Sequence, residues 1–270
     1  MTRTILVTGS SSGIGRATAI HFQQRGWNVV ATMRSPEKEG VLNELENVLV
    51  TRLDVTDTAS IAAAVSMGIE RFGRIDVLLN NAGFGAYGPL EATSYESIRR
   101  EFETNVLGGL FTTKALLPHF RANRAGVIVN ISSIGGRFAY PLGALYHGSK
   151  FAVEGVAEAL SYEAAAIGVR VKIVEPGMVA TRFGNALDFS NDESLAEYQD
   201  MVGKLMGGFE EAQKGACPPE AVAEVVFQAA TDGTDQLRYA VGEDAQAMLA
   251  ARKSLDDATF QKRLREQFKL

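Results

Sequence analysis

The chain has little of what marks several specialised classes of protein. Its 270 residues include a single cysteine, Cys217, so an internal disulfide framework is excluded. No apolar run reaches the roughly 18 residues that a membrane-spanning helix needs. The first residues enter a strand-like run at once, so we expect no signal peptide of about 15–30 residues. These observations predict a cytoplasmic protein without a membrane span.

A surplus of positive charge is also missing. The 27 Lys and Arg residues are outnumbered by 32 Asp and Glu, which gives a formal net charge of −5. Nucleic-acid binding draws on clustered Lys and Arg, so we expect no nucleic-acid partner. No group of His, Cys, Asp or Glu has the spacing of metal ligands, and we expect no metal site. The hydrophobic fraction of 46% is too high for a disordered chain.

Short apolar runs alternate with amphipathic stretches of helical period. The runs begin at Thr4, Asn28, Val48, Val77, Val127 and Val169, and the helical stretches cover 13–25, 58–72, 98–121, 146–167 and 219–231. Nearly continuous apolar strands joined by helices are typical of a parallel sheet buried on both faces. We therefore predict an α/β fold: one domain over residues 1–270, with a doubly wound, Rossmann-like parallel sheet and helices on both faces.

The stretch 182–217 breaks this alternation. It combines large apolar side chains with glycines, namely Phe183, Phe189, Met201, Met206, Phe209, Gly203, Gly207 and Gly208. An inserted helical hairpin with ordinary packing would explain it, and so would a lid over a pocket, because long excursions in compact domains are often functional. We favour the lid, with the three glycines as the points where it bends.

A glycine-rich turn joins the first strand to the first helix. It reads TGSSSGIG over 8–15, with Gly9, Gly13 and Gly15 spaced Gly-x-x-x-Gly-x-Gly. Glycine allows a sharp turn and a close approach of backbone to phosphate, and the following helix N-terminus offers free N–H groups to an anion. The turn predicts a dinucleotide site, with a tight turn that binds nothing as the alternative.

The end of the second strand indicates which dinucleotide is preferred. An acidic residue there would accept the ribose 2′-hydroxyl of NAD, whereas a basic one would favour the 2′-phosphate of NADP. Arg34 occupies this place, so we expect NADP(H) to be preferred, with NAD possible. Arg34 and one of Ser10, Ser11 or Ser12 would hold the 2′-phosphate, although Glu37 and Glu39 lie nearby in the sequence.

Two further strand ends carry polar residues that suit a nucleotide. Asp54 follows the third strand, where its carboxylate could accept the adenine amino group. Asn81 and Gly83 follow the fourth strand, and polar side chains at the carboxyl ends of parallel strands suit a ligand crevice. Ordinary turns favour the same residues, so this signal is weak by itself.

Tyr146 and Lys150 are four residues apart on a predicted helix and so share one face. A nearby ammonium favours phenolate and would lower the pKa of Tyr146, which suits general acid–base catalysis. Ser133 ends the fifth strand and could hydrogen-bond a substrate oxygen. A surface pair on a helix is the alternative for Tyr146 and Lys150 taken alone.

The motifs together resemble those of the short-chain dehydrogenase/reductase family. They occur in order over residues 4 to 181: TGSSSGIG at 8–15, Asp54, NNAG at 80–83, Asn105, Ile131-Ser132-Ser133, Tyr146-His147-Gly148-Ser149-Lys150, and Pro176-Gly177 with Thr181. The ATMR segment, the SIGG after Ser133 and the long C-terminal excursion are most similar to the 17-beta-hydroxysteroid and retinol dehydrogenase-like branch.

The resemblance implies roles for individual residues. Tyr146 would be the acid/base, Ser133 the group that polarises the substrate oxygen, and Asn105 the support of a water relay toward Lys150. Lys150 would lower the pKa of Tyr146 and hold the nicotinamide ribose. The cofactor would also contact Gly9, Ser11, Ser12, Gly13, Ile14, Gly15, Arg34, Asp54, Val55, Asn81, Ala82, Gly83, Pro176, Gly177, Val179 and Thr181.

The implied activity is an NADP(H)-dependent transfer of hydride between nicotinamide and a carbonyl or secondary alcohol. The alternative is a non-catalytic NAD(P)-binding regulator on the same fold. The pocket walls would be largely apolar, which favours a hydrophobic substrate: Phe84, Gly135, Tyr140, Phe183, Phe189, Met206 and Phe209. The resemblance also implies a homodimer or homotetramer, joined by helices near 101–121 and 151–166.

Overall fold

A parallel sheet of seven strands forms the centre of the protein. The structure is a computed structural model that describes residues 2–181 and 187–270. In chain order the sheet strands are β1 (Thr4–Val7), β2 (Asn28–Met33), β3 (Val48–Arg52), β4 (Val77–Asn80), β6 (Gly126–Ile131), β7 (Val169–Pro176) and β9 (Arg238–Val241). Every neighbouring pair is parallel in the order β3-β2-β1-β4-β6-β7-β9. The strand order reverses between β1 and β4, and ligands bind beyond the carboxyl ends of strands at such a point.

Helices connect these strands. Their bounds are α1 (Gly13–Gln24), α2 (Thr58–Phe72), α3 (Tyr95–Phe102), α4 (Gly108–Asn123), α5 (Ala144–Ala166), α6 (Ala196–Gln213), α7 (Pro219–Thr231), α8 (Glu243–Ser254) and α9 (Asp257–Gln267). Two short strands, β5 (Ala86–Tyr87) and β8 (Asp188–Phe189), pair in parallel outside the main sheet.

Alternate residues of the central strands bury on opposite faces of the sheet. Val7 packs in a cluster with Phe22 of α1, whereas its neighbour Leu6 packs in a second cluster with Leu116 of α4 and Ala157 of α5. Side chains alternate with period two along a strand, so continuous apolar runs require cover on both sides. The structure confirms the predicted doubly wound α/β fold.

The helix predicted over 98–121 is interrupted. A π-helical turn, Glu103–Leu107, separates α3 from α4 and contains the buried Asn105. Such turns occur mostly as local insertions in helices, frequently at functional sites. Amphipathic periodicity continues through the interruption, which explains why the sequence pattern did not reveal it.

The prediction that three glycines mark bends in the 182–217 stretch is wrong. Gly203, Gly207 and Gly208 all lie within the single helix α6. A Cβ on Gly208 would lie 3.1 Å from the ring of Phe268, so the small residue lets the C-terminal segment pack closely on α6. Phe183 lies outside the described residues. Among the helices that the structure describes, none has the length and apolar content to cross a membrane.

Candidate active site

The glycine-rich turn is shaped so that larger residues would not fit. Gly9 and Gly13 have φ angles of 70° and 54°, in the left-handed region that favours glycine. A Cβ on Gly15 would lie 2.3 Å from the carbonyl oxygen of Gly9. The turn is therefore a compact loop whose backbone remains open to a ligand.

The end of β4 fixes this turn from the side. Asn81 Nδ2 donates to the carbonyl oxygens of Thr8 and Gly9 at 2.8 and 3.1 Å. Thr8 Oγ1 in turn accepts the backbone N–H groups of Asn81 and Ala82 at 2.9 and 3.0 Å. Thus Asn81 and Ala82, predicted as cofactor contacts, belong to the scaffold that holds the loop.

The N-terminus of α1 keeps its capacity to bind an anion. Ser12 is the N-cap residue but makes no side-chain cap bond, so the first-turn N–H groups are not satisfied by it. Ser11 and Ser12 are exposed, whereas Ser10 is buried and donates to the carbonyl oxygen of Thr32 at 3.0 Å. Of the three serines, Ser11 and Ser12 can therefore reach a phosphate, and Ser10 is structural.

Arg34 is exposed at the tip of β2. The nearby Glu39 is buried and forms an ion pair with Arg16 of α1, and its other oxygen accepts the N–H of Leu42 at 3.0 Å. Both oxygens of Glu39 are thus paired within the fold. The positive charge of Arg34 remains exposed to solvent at the end of β2.

Asp54 lies where the third strand ends. Its Oδ1 accepts from the backbone N–H and the hydroxyl of Thr56 at 3.0 and 2.8 Å. The adjacent Val55 is buried, and a Cβ on Gly108 would lie 2.6 Å from its Cγ2. The half-buried Asp54 is therefore held in a fixed direction by its own turn.

The segment after β7 closes over the glycine turn. Met178 N–H donates to Asp244 Oδ2 at 2.7 Å, and a Cβ on Gly177 would lie 2.2 Å from the same oxygen. Thr181 reaches the other side, because a Cβ on Gly13 would lie 3.3 Å from its methyl group. Thr181 thus lies against the glycine turn, and Gly177 packs against Asp244. The cleft that runs from Thr8 of this turn to Lys150 is lined by Ala82 and Asn105.

Ser133, Tyr146 and Lys150 meet at the far end of this cleft. Ser133 follows β6, accepts the N–H of Gly135 at 3.0 Å, and hydrogen-bonds with Tyr146. Lys150 Nζ donates to the carbonyl oxygen of Ile131 at 3.0 Å and lies 5.8 Å from the centre of the Tyr146 ring. Side chains from β6 and α5 therefore form one buried polar centre.

The pKa of Tyr146 differs from the sequence-based expectation. Burial raises it to about 12, while the hydrogen bond with Ser133 lowers it and the charge of Glu101 raises it. Lys150 was expected to lower this pKa, but burial also lowers the pKa of Lys150, to about 8. The expectation that Tyr146 titrates nearer neutrality is wrong for this structure, because both groups lose hydration.

Asn105 faces the same centre from the π-helical turn. Its Oδ1 accepts the N–H of Phe84 at 3.0 Å, and its Nδ2 lies 2.8 Å from the carbonyl oxygen of Phe84. Nδ2 also lies within hydrogen-bond distance of Glu101 Oε1 and Ser149 Oγ, at 2.9 and 3.1 Å. Asn105 therefore connects the strand end at 80–84 to the helix that carries Lys150.

The predicted pocket walls surround Tyr146 only in part. Phe189, Phe209 and Tyr140 pack in one apolar cluster with Tyr146. Phe84 lies beneath the guanidinium of Arg100, whose carbon is 5.0 Å from the ring centre. Met206 is 37% exposed. Gly135 packs against His147, because a Cβ on Gly135 would lie 2.7 Å from His147 Nδ1.

Several residues near Tyr146 were not predicted from the sequence to be part of the site. Tyr87 lies 5.4 Å from the Tyr146 ring, and Leu205 and Phe268 complete the apolar cluster. Glu101 is fully buried beside Asn105. A charged residue among the apolar positions of 98–121 was the available signal for Glu101; nothing marked the C-terminal Phe268.

The sequence matches one protein family and is similar to several named proteins. The family model described as short chain dehydrogenase matches residues 3–191. An uncharacterised oxidoreductase of Schizosaccharomyces pombe is 48% identical over 238 residues, which cover 88% of this chain and 100% of the relative. A 3-ketodihydrosphingosine reductase of Bacteroides thetaiotaomicron is 35% identical, covering 97% and 96% of the two chains. Estradiol 17-beta-dehydrogenase 1 of the rat is 33% identical, covering 87% and 72%.

Solved structures agree with these relatives. A short-chain dehydrogenase from Streptomyces avermitilis superposes with a TM-score of 0.84 at 34% identity, covering 100% of this chain and 97% of the other. ElxO with NADP bound gives 0.76 at 28% identity, covering 92% and 100%. A Burkholderia phymatum member in complex with NAD gives 0.78 at 25% identity, covering 93% and 92%. The order of motifs, the sheet and these matches agree, and the chain belongs to the short-chain dehydrogenase/reductase family of oxidoreductases.

Proposed function

We propose that the protein is an NADP(H)-dependent oxidoreductase that interconverts a carbonyl and a secondary alcohol on a hydrophobic substrate. The observation that carries this proposal is the meeting of Ser133, Tyr146 and Lys150 at the end of the cleft that begins at the glycine turn. A non-catalytic NAD(P)-binding regulator would need the turn but has no use for this centre.

The cleft suits a nicotinamide dinucleotide. Gly9 and Gly15 allow the tight turn, because a Cβ at either position would crowd neighbouring protein atoms. The α1 N-terminus that follows is open to a pyrophosphate. Asp54 would hold the adenosine side, and Gly177 and Thr181 would border the nicotinamide. When bound, the nicotinamide supplies or accepts the hydride.

Tyr146 moves the proton in this proposal. Its phenol is protonated at neutral pH, because burial raises its pKa to about 12, and it donates that proton to the oxygen of the bound carbonyl. Ser133 donates a hydrogen bond to the same oxygen, where negative charge grows during reduction.

Arg34 and the exposed Ser11 and Ser12 support the preference for NADP(H). A guanidinium can bind phosphate through two parallel hydrogen bonds. The hydroxyls of Ser11 and Ser12 lie on the adjacent glycine-rich turn. Glu39 is buried and paired with Arg16, so this carboxylate does not compete with a 2′-phosphate for the guanidinium of Arg34.

The apolar cluster around Tyr146 supports a hydrophobic substrate. Leu205 and Phe209 of α6 and Phe268 of the C-terminus pack on the same side as Tyr146. Arg100, beside Phe84, is paired with Asp188 at 2.5 Å and is not a free clamp for an anionic substrate. The relatives named as a 3-ketodihydrosphingosine reductase and an estradiol dehydrogenase agree with this substrate class. We assign α6 to the proposed lid of residues 182–217.

The predicted oligomer would use an apolar surface on α4 and α5. Leu107, Phe111 and Phe151 are 40%, 37% and 47% exposed. Val156 and Leu160 of α5 line a small pocket together with Leu110 and Thr113 of α4. Homodimer or homotetramer formation and a cytoplasmic location stay predictions.

The proposal is tested by following NADPH absorbance with a panel of hydrophobic ketones and aldehydes. We expect the wild type to oxidise NADPH with at least one of them and to form the corresponding alcohol. Tight NADPH binding without turnover of any compound, in either direction, would support the non-catalytic alternative and overturn the proposed activity.

A further inference from the structure

The buried carboxyl group of Glu101 has no part in the proton and hydride transfers described above. It is fully buried on α3, and its Oε1 accepts from Asn105 Nδ2 at 2.9 Å and lies 3.2 Å from Ser149 Oγ. Its Oε2 has no hydrogen-bond partner of normal geometry among the described residues, although the N–H of Ala86 is close enough to favour the charged form. A buried carboxyl with an unsatisfied oxygen is costly unless a charge compensates it.

Lys150 is a buried cation that lacks a directly paired carboxylate in the described structure. Its side chain is buried, and Ile131 supplies the carbonyl that Nζ contacts at 3.0 Å. Within residues 2–181 and 187–270, no carboxylate forms an ion pair with Nζ within 4.0 Å. An ammonium in this place needs negative charge nearby to remain protonated.

Glu101 is better suited than Glu154 to supply that charge. Both carboxyls raise the pKa of Lys150, and Glu101 has the larger effect. Glu154 is already paired with Arg238 at 2.9 Å, whereas Glu101 has no such partner in the described structure. Ser149 precedes Lys150 on α5, and its hydroxyl lies 3.2 Å from Glu101 Oε1, so the carboxyl packs against the turn of helix that carries Lys150.

We propose that Glu101 is a positioning residue whose buried carboxylate, held by Asn105 and Ser149, balances the charge of Lys150 and keeps that ammonium protonated beside Tyr146. The role in turnover rests on the proposed function, but the charge balance does not. The other ionisable groups that face Glu101 are Tyr146 on α5, Tyr87 on β5 and Asp188 on β8, whose charge is paired with Arg100.

The pH at which this balance operates follows from the carboxyl group. Burial raises the pKa of Glu101 from 4.5 to about 7, while Lys150 lowers it. A carboxyl with a raised pKa stabilises the fold fully below the unfolded value, near 4.5, and loses that contribution as pH rises through 7. Glu101 is therefore neutral at pH 5 and charged at pH 8, where the balance with Lys150 should operate.

A double-mutant cycle tests the balance without any assay of activity. Glu101→Gln and Lys150→Met are made singly and together, and urea unfolding is measured at pH 5 and pH 8. At pH 8, Glu101→Gln should lower the unfolding equilibrium constant about tenfold more in the Lys150→Met background than in the wild type. At pH 5 the two backgrounds should respond equally, because the carboxyl is then neutral.

Glu103→Gln is the matched control, because Glu103 is exposed two residues further along the chain. It should show no coupling to Lys150 at either pH. Equal effects of Glu101→Gln in both backgrounds at pH 8 would overturn the charge balance and leave Glu101 a packing residue. If Lys150→Met does not fold, Lys150→Gln replaces it in the cycle, because it also removes the charge of Lys150. The same coupling is expected at pH 8, and its absence would contradict the proposal.

Turnover gives the second readout. In Glu101→Gln the alkaline limit of kcat/KM for carbonyl reduction should move about 1 pH unit lower, because Lys150 loses its proton sooner. The limit of Glu103→Gln should match the wild type, and an unmoved limit in Glu101→Gln would contradict the role in turnover. A protein that turns over no substrate would refute the proposed function, while the unfolding cycle would still decide the role of Glu101.

Discussion

Lys150 Nζ donates a hydrogen bond to the backbone carbonyl oxygen of Ile131 at 3.0 Å and lies 5.8 Å from the centre of the Tyr146 ring. This hydrogen bond holds the ammonium at the last residue of β6, two residues before Ser133. The bond fixes α5 against the sheet, so that Tyr146 and Ser133 are held together before any substrate arrives. Preorganised donors of this kind stabilise charge that develops on a substrate oxygen.

Ser133, rather than its neighbour, is expected to contribute to turnover. Ser133→Ala should lower kcat/KM for carbonyl reduction roughly 10- to 1000-fold, because it removes a donor to the developing oxyanion. Ser132→Ala is the matched control, since Ser132 is also buried but its hydroxyl interacts with Glu154. Steady-state kinetics of the two variants check the assignment, and equal losses in both would refute it.

Arg34 is expected to determine cofactor preference. Arg34→Asp should reverse or abolish the preference for NADPH over NADH, because a carboxylate repels a 2′-phosphate and accepts a 2′-hydroxyl. The ratio of kcat/KM for the two cofactors is the measurement. Lys38→Asp makes the same charge change at an exposed position of the same segment and should alter the ratio little. An unchanged ratio in Arg34→Asp would rule out this role.

Two glycines are expected to respond in opposite ways to the same substitution. Gly15→Ala should destabilise the fold or abolish NADPH binding, since its Cβ would lie 2.3 Å from Gly9 O. Gly203→Ala has open space within α6 and should stabilise by about 0.5–1 kcal/mol, because alanine favours helix. Urea unfolding and NADPH fluorescence titration of both variants test this. A stable, NADPH-binding Gly15→Ala protein would contradict the described turn.

Phe268 and Phe209 are expected to limit substrate size. Both belong to the apolar cluster that packs beside Tyr146, and Phe209 contacts Tyr87 at a ring separation of 5.3 Å. Phe209→Ala should raise kcat/KM for bulky ketones relative to small ones, because it removes a wall of the pocket. A size series of ketones measures the effect; an unchanged order of preference would show that α6 does not border the substrate.

The sequence predicted the parts of the fold that depend on regular periodicity. Six sheet strands and the helices that connect them follow from apolar runs and amphipathic stretches. The last strand, Arg238–Val241, was not predicted, because it has four residues and begins with an arginine that is bound to Glu154. The break between α3 and α4 was missed because a π-helical turn does not interrupt the amphipathic pattern.

The site was predictable where chemistry requires particular residues at a fixed spacing. Tyr146 and Lys150 share a helix face, and the glycines of the turn form a recognisable series. Glu101 and Phe268 were not identified, because their contacts with Asn105 and Tyr140 exist only in the folded chain. The raised pKa of Tyr146 was also missed, since burial is a property of the packed structure and not of the local sequence.

Turnover by Tyr146→Phe, measured together with NADPH binding, tests the role of this phenol most directly. We expect a loss of about 10²- to 10⁴-fold in kcat for a ketone that the wild type reduces, with NADPH affinity preserved. Tyr162→Phe, at a tyrosine that is 75% exposed, should behave like the wild type. Reduction by Tyr146→Phe at the wild-type rate would contradict the central claim that this phenol supplies the proton.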